Sequence, residues 1–101
     1  MPLSYQIRDT EASIHIRGHF NFSLHGDFRA ACHAIMASPQ VTCVDIDLQD
    51  TEYLDSSALG MLLVLREQLS PRGIKLLITN TRPGIRQILA IARFEKFFLI
   101  D

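Results

Sequence analysis

An acidic and hydroxyl-rich segment at residues 49–57 carries the side chains best suited to chemistry in this chain. Asp55, Ser56 and Ser57 stand directly before an apolar run that begins at Ala58 and predicts a buried helix. A helix N-terminus presents unpaired N–H groups and a partial positive charge, so a phosphate on Ser56 would be stabilised there. Asp55 and Ser57 are also common capping residues, and from the residues alone a capped helix with no further function is the favoured interpretation.

Two other chemistries fit the residues less well. The four histidines have no i, i+4 spacing on one helix, and no carboxylate completes a metal-ligand set with them. A hydrolase with Ser56 as its nucleophile would lack both the Gly-x-Ser-x-Gly elbow and a Gly-rich oxyanion loop. We therefore predict that the chain is not an enzyme and holds no metal, nucleotide or other cofactor of its own.

The composition narrows the functional classes further. The 101 residues predict one domain spanning residues 1–101, with 48% apolar and 21% charged residues, as expected of a globular chain. A net charge of -1 gives no basic surface for nucleic acid. Cys32 and Cys43 have no CxxC spacing and no secretory segment before them, which predicts reduced thiols that serve packing. No apolar stretch reaches the roughly 18 residues of a membrane span, so we expect a cytoplasmic protein.

Apolar periodicity predicts the elements that must position the acidic segment. Alternation, or a short apolar run, predicts strands at residues 5–8, 13–17, 42–48, 74–78 and 97–100. Spacing of three or four predicts a helix between an N-cap at Ser23 and Pro39, a buried helix over residues 58–65, and a third helix over residues 83–92. The order ββαβαβαβ indicates an α/β fold in which a mixed sheet of about four to five strands is covered by helices.

The hexapeptide Asp55-Ser56-Ser57-Ala58-Leu59-Gly60, which follows a predicted strand, resembles the phosphorylation motif of STAS domains. That family includes the anti-sigma factor antagonists, and its motif reads Asp-Ser-Ser/Thr-Gly-Leu-Gly. The similarity extends over nearly the whole chain, through Gly18, the buried stretch at residues 61–65, and residues 86–97. The resemblance implies a mixed sheet covered on one side by helices, in agreement with the element order.

The resemblance also implies a mechanism, partner switching. The first Ser of the motif, here Ser56, would accept the phosphate. The unphosphorylated protein would bind an anti-sigma factor that is also a serine kinase, phosphorylation would end that binding, and a serine phosphatase of the PP2C type would reset the switch. The partner contacts implied by the resemblance are Asp55, Ser57, Ala58, Asn21 and Met61.

Three positions depart from the family pattern. Many members carry an acidic residue shortly after the Gly that matches Gly18, where this chain has His19, Phe20 and Asn21. Ala58 replaces a Gly, which suits a helix better. Arg93 stands where a Gly commonly ends the last helix, so we expect Arg93 to adopt a left-handed or irregular conformation with its side chain in solvent.

Two alternatives stay open within the resemblance. The first is a non-phosphorylated STAS subunit of a membrane lipid transport complex; the second is a STAS domain of an anion transporter, which is disfavoured because the chain runs from Met1 to Asp101 without a membrane segment. The switch hypothesis requires Ser56 to be exposed at the start of a helix whose leucines, Leu59, Leu62 and Leu63, face the sheet. Met61, Leu62 and Leu65 are expected in the core, unless some of them form an apolar patch beside Ser56.

Overall fold

The computed structural model describes residues 1–101 as a mixed sheet with three helices and a short second sheet, which confirms the α/β prediction. The strands are β1 (Leu3–Arg8), β2 (Glu11–Ile16), β3 (Gly18–Phe20), β4 (Cys43–Asp47), β5 (Thr51–Leu54), β6 (Lys75–Thr79) and β7 (Leu99–Ile100). The helices are α1 (His25–Met36), α2 (Ser56–Leu69) and α3 (Pro83–Ile91).

The main sheet has the strand order β1-β2-β4-β6-β7. β1 pairs antiparallel with β2 through a tight turn, and every later pair in this sheet is parallel. Parallel neighbours need a crossover between them, and the chain supplies α1, α2 and α3 for that purpose. The predicted mixed sheet of four to five strands is therefore confirmed.

The core lies on one face of this sheet because side chains alternate along each strand. Ile14, Ile46 and Ile78 stand in register on β2, β4 and β6, and each has no exposed surface. Their sequence neighbours Ser13 and Asp45 point to the opposite face, which is only half-buried. The helices cover the apolar face, and none of them is both long and apolar enough to cross a membrane.

The second sheet, a parallel pair of β3 and β5, was not predicted. The acidic segment at residues 49–57 was not among the predicted strands, yet Thr51–Leu54 is a strand. Gly18 separates β2 from β3 with a φ of 78°, a left-handed conformation that a side chain would disfavour, and its N–H donates to the carbonyl of Asp50 at 2.8 Å. This bend directs β3 out of the main sheet and onto β5.

Two local predictions were wrong. Ser23 does not cap α1, because a short 3₁₀ turn over residues 22–24 precedes the helix and Asn21 caps that turn. The strand predicted over residues 5–8 begins earlier, at Leu3, and its Tyr5 is 46% exposed since β1 forms the edge of the sheet. The predicted apolar spacing is confirmed by the burial of Phe28, Ala31, Cys32 and Ile35 in α1, and Leu24 in the preceding turn is buried with them.

The end of α3 confirms the expectation for Arg93. The helix stops at Ile91, and Arg93 has φ 58° and ψ 40°, which is left-handed. Its side chain is exposed and makes no hydrogen bond or ion pair. Arginine carries a Cβ that crowds this conformation, whereas glycine does not.

Replacing Arg93 with glycine should therefore stabilise the fold. We expect Arg93→Gly to raise the free energy of unfolding in urea by about 1 kcal/mol, because glycine adopts a left-handed backbone without steric cost. Arg86→Gly is the matched control, since Arg86 is exposed inside α3 and glycine there should lower the same quantity by about 1 kcal/mol. A loss of stability in both variants would contradict the conformation assigned to Arg93.

Candidate functional site

The parallel pair of β3 and β5 brings separate parts of the candidate site together. Phe20 of β3 pairs with Leu54 of β5, and the N–H of Asp55 donates to the carbonyl of Phe20 at 3.3 Å. The residues that follow these strands, Asn21 and Asp55, therefore emerge at the same edge of the second sheet. This places Asn21 beside the start of α2.

Asp55 caps the N-terminus of α2. Its backbone is extended, and its Oδ1 accepts hydrogen bonds from the N–H of Ala58 at 3.0 Å and from the hydroxyl of Ser57 at 2.6 Å. These two donors, the Ser57 hydroxyl first, lower the pKa of the Asp55 carboxyl because they favour its charged form. The Ser57 hydroxyl had been expected to be a helix cap in its own right. It instead supports the aspartate that caps the helix.

Ser56 is the first residue of α2 and is exposed, as expected. Its hydroxyl makes no hydrogen bond within the chain, in contrast to that of Ser57. Ala58 is wholly buried, and with 3.6 residues per turn a residue two positions away lies roughly 200° around the helix axis. Ser56 must therefore face solvent whenever Ala58 faces the core. Leu62 is fully buried, and Leu59 and Leu63 pack against the core, as predicted.

Two of the residues expected to contact a partner lie below the surface. Ala58 has no exposed area, so its side chain is closed to a partner in this structure, contrary to expectation. It occupies the buried stripe of α2 with Leu62 and Leu65, where a small apolar residue packs well. Met61 retains only 7% exposure and lies in the floor of a groove. Asp55 and Asn21 are half-buried and remain accessible.

The groove lies between α1 and α2 and encloses about 580 Å³. Ser57, Gly60 and Val64 line it from α2, and Phe28 lines it from α1. Phe22 completes it from the turn before α1. We call this surface the α1–α2 groove; it was not predicted, apart from the suggestion of an apolar patch beside Ser56.

Phe22 and Val64 give the groove an exposed apolar rim, because 65% of Phe22 and 54% of Val64 are exposed. The Phe22 ring stacks on His25 with 4.9 Å between centroids. Asn21 holds the turn that carries Phe22, since its Oδ1 accepts from the N–H of Ser23 at 2.9 Å and from the Ser23 hydroxyl at 2.6 Å. Asn21 thus positions Phe22, a role for which the sequence showed no motif.

His15 and His19 each pair with a single acidic residue. The Nε2 atom of His15 lies 2.9 Å from a carboxylate oxygen of Asp50, and His19 lies 4.0 Å from Glu52. No group of three or more His, Cys, Asp or Glu side chains is close enough to hold a metal ion. The first pair links β2 to the turn before β5, and the second links β3 to β5.

Both cysteines are free thiols, as expected. Burial raises the pKa of Cys32, whose side chain lies in the floor of the groove, to about 11. Burial and the nearby carboxylate of Glu11 also raise the pKa of Cys43, which is half-buried at the start of β4. A raised pKa leaves less of the nucleophilic thiolate at neutral pH.

A family model described as the STAS domain matches residues 3–101. The chain belongs to the STAS domain family. A STAS-domain containing protein of Pseudomonas aeruginosa (strain UCBPP-PA14) is 43% identical over 91 residues, which make up 90% of this chain and 88% of that protein. The assignment agrees with the motif at residues 55–60 and with the mixed sheet.

Solved structures share the fold of this STAS domain. The anti-sigma factor antagonist SpoIIAA in its unphosphorylated form has a TM-score of 0.77 at 16% identity, over 98% of this chain and 86% of that one. The phosphorylated form of the same Bacillus protein has a TM-score of 0.76 at 15% identity, over 98% and 90%. A sulfate transporter family protein from Wolinella succinogenes has a TM-score of 0.78 at 15% identity, over 95% and 80%.

The cap of α2 predicts a pH dependence of stability. Because the pKa of Asp55 is lowered from 3.8, its charged form stabilises the fold above that pH, and the contribution is lost as the pH falls through the lower folded value. Asp55→Asn keeps a capping side chain that does not titrate. We expect the stability difference between the parent protein and Asp55→Asn, measured by urea unfolding, to shrink between about pH 6 and about pH 3.

The matched control is Asp27→Asn, which removes a carboxylate from the first turn of α1 that accepts no hydrogen bond. Its effect on stability should change less over the same pH range. If the difference in unfolding free energy between the parent protein and Asp55→Asn stayed constant down to the lowest pH, the ionised carboxylate would not be the group that stabilises the helix start.

Proposed function

We propose that this STAS domain is an anti-sigma factor antagonist that acts by partner switching, with Ser56 as its phosphoacceptor. The single observation that carries the proposal is the difference between the two hydroxyls of the motif. Ser56 presents a free, exposed hydroxyl on the first turn of α2, whereas the Ser57 hydroxyl is bound to Asp55 at 2.6 Å. A kinase can approach the first without breaking the cap of the helix.

The electrostatics of the helix start support a switch that works through charge. A phosphate on Ser56 would add about -1.5 to -2 charges and would be stabilised by the N-terminus of α2. The ionised carboxylate of Asp55 stands next to it in the chain, so the surface would become strongly negative. The fold of this chain is similar to SpoIIAA both with and without phosphate, which supports a change of surface charge without a change of fold.

The proposed cycle involves three other proteins, two of which bind this domain. The unphosphorylated domain, residues 1–101, binds an anti-sigma factor that is also a serine kinase and thereby frees a sigma factor in the cytoplasm. The kinase transfers phosphate from its own nucleotide to Ser56, and a PP2C-type serine phosphatase removes it. The STAS domain catalyses none of these steps and regulates transcription by binding alone.

Phosphate transfer tests the acceptor directly. Incubation with ATP and a purified candidate serine kinase of the anti-sigma factor type from the same genome should phosphorylate Ser56, because its hydroxyl is exposed and unbonded. Mass spectrometry of the digested protein should place the phosphate there. Ser56→Ala should abolish incorporation, and Ser57→Ala, the matched control, should retain it. Phosphate on Ser57 with none on Ser56 would overturn the assignment.

Partner binding tests the switch. Ser56→Ala should bind the anti-sigma factor as the unphosphorylated protein does, and ATP should no longer release it, because the site cannot gain charge. Ser56→Asp should weaken binding about tenfold, less than true phosphate, since one carboxylate has about half the charge and fewer acceptor oxygens. Isothermal titration calorimetry measures both. An unphosphorylated protein that instead associates stably with a transporter ATPase would favour the lipid transport alternative.

A further inference from the structure

Gly60 stands in the middle of α2 although nothing within the chain requires a glycine there. Its φ is not positive, and a Cβ built on it would meet no atom within 4 Å. Glycine inside a helix is less favourable than alanine because it has more conformational freedom to lose. The absence of a side chain at Gly60 therefore has no explanation in the packing of the folded chain.

Gly60 lies on the exposed stripe of α2, one turn after Ser56 and one turn before Val64. It also lines the α1–α2 groove, whose rim carries the exposed side chains of Phe22 and Val64 and whose floor includes Met61. Neighbouring exposed aromatic and aliphatic side chains around a concave surface are typical of a protein-binding site. A glycine at this point opens the groove down to the helix backbone.

The charge of the groove indicates the chemistry of its occupant. Arg29 lines it, and its guanidinium makes no hydrogen bond or ion pair within the chain. No aspartate or glutamate is among the lining residues. An occupant complementary to this surface has apolar side chains for the floor and a carboxylate for Arg29.

We infer that the α1–α2 groove docks an amphipathic helix of the anti-sigma factor, with an acidic residue of that helix at Arg29 and its backbone closest to α2 at Gly60. The inference rests on the proposed function, because it states how the same partner is held. The lining residues of α2 run from Ser57 to Gln68, about 16 Å along the axis, which accommodates roughly three turns of a docked helix. A phosphate on Ser56, at one end of this groove, would repel an acidic helix.

Alanine substitution of two glycines tests the close approach. Gly60→Ala should leave the fold at least as stable in urea, because the added methyl meets nothing inside the chain. It should weaken binding of the purified anti-sigma factor at least tenfold by calorimetry, since the methyl enters the groove. Gly84→Ala is the matched control: Gly84 lies on α3, has equally open space around its Cβ, and should bind as the parent protein does.

The charge contact is tested by the salt dependence of binding. Arg29→Gln should weaken the complex about tenfold at low salt and should reduce the loss of affinity as salt is raised, because the paired charge is gone. Arg86→Gln, an exposed arginine of α3, is the control and should change neither quantity.

The outcomes separate this inference from the proposed function. Suppose that Gly60→Ala and Arg29→Gln bind as the parent protein does and that phosphate on Ser56 still releases the partner. This result would overturn docking in the α1–α2 groove and leave the proposed partner switch standing. If both variants bind more weakly but phosphate on Ser56 does not change binding, docking in the α1–α2 groove would be supported and partner switching through Ser56 would be overturned. If the unphosphorylated parent protein bound no anti-sigma factor at all, both would be wrong.

Discussion

The burial of one face of α2 is the constraint on which the site depends. Ala58, Leu62 and Leu65 have no exposed surface, so the helix cannot rotate without exposing them. Ser56 and Gly60 are each two residues from Ala58, which turns both of them away from the core. The exposure of Ser56, the proposed phosphoacceptor, and the opening at Gly60 thus follow from the same hydrophobic contact that holds the helix on the sheet.

A second constraint is the division of the strands into two sheets. The left-handed Gly18 ends the pairing of the chain with β1 and allows β3 to join β5. Thr51, the one buried polar residue of the chain, links the two sheets because its hydroxyl donates to the carbonyl of Ile16 at 2.7 Å. These contacts determine where β5 ends, and hence where Asp55 and α2 begin. The sheet formed by β3 and β5 therefore positions the candidate site.

The electrostatics at the N-terminus of α2 are compatible with the proposed change of partners without a change of fold. The ionised Asp55 stabilises the helix start and is held by Ser57, which leaves Ser56 unbonded and accessible. Modification of Ser56 would add charge to a surface whose backbone is already held by the cap. In the proposed complex, the adjacent groove supplies apolar contacts and the single cation of Arg29. Negative charge added at Ser56 would repel an acidic partner and would leave the core unchanged.

Local patterns in the sequence determined the long elements and the chemically distinctive positions. Period-two alternation was sufficient to predict β2 and β4, because burial on one face of a strand imposes this pattern directly. The motif at residues 55–60 located the start of α2. Tertiary structure decided the rest. β3 and β5 are too short for a periodic signal and exist through pairing between residues more than 30 positions apart. The α1–α2 groove likewise combines side chains from two helices, a juxtaposition that arises only when packing brings distant segments together.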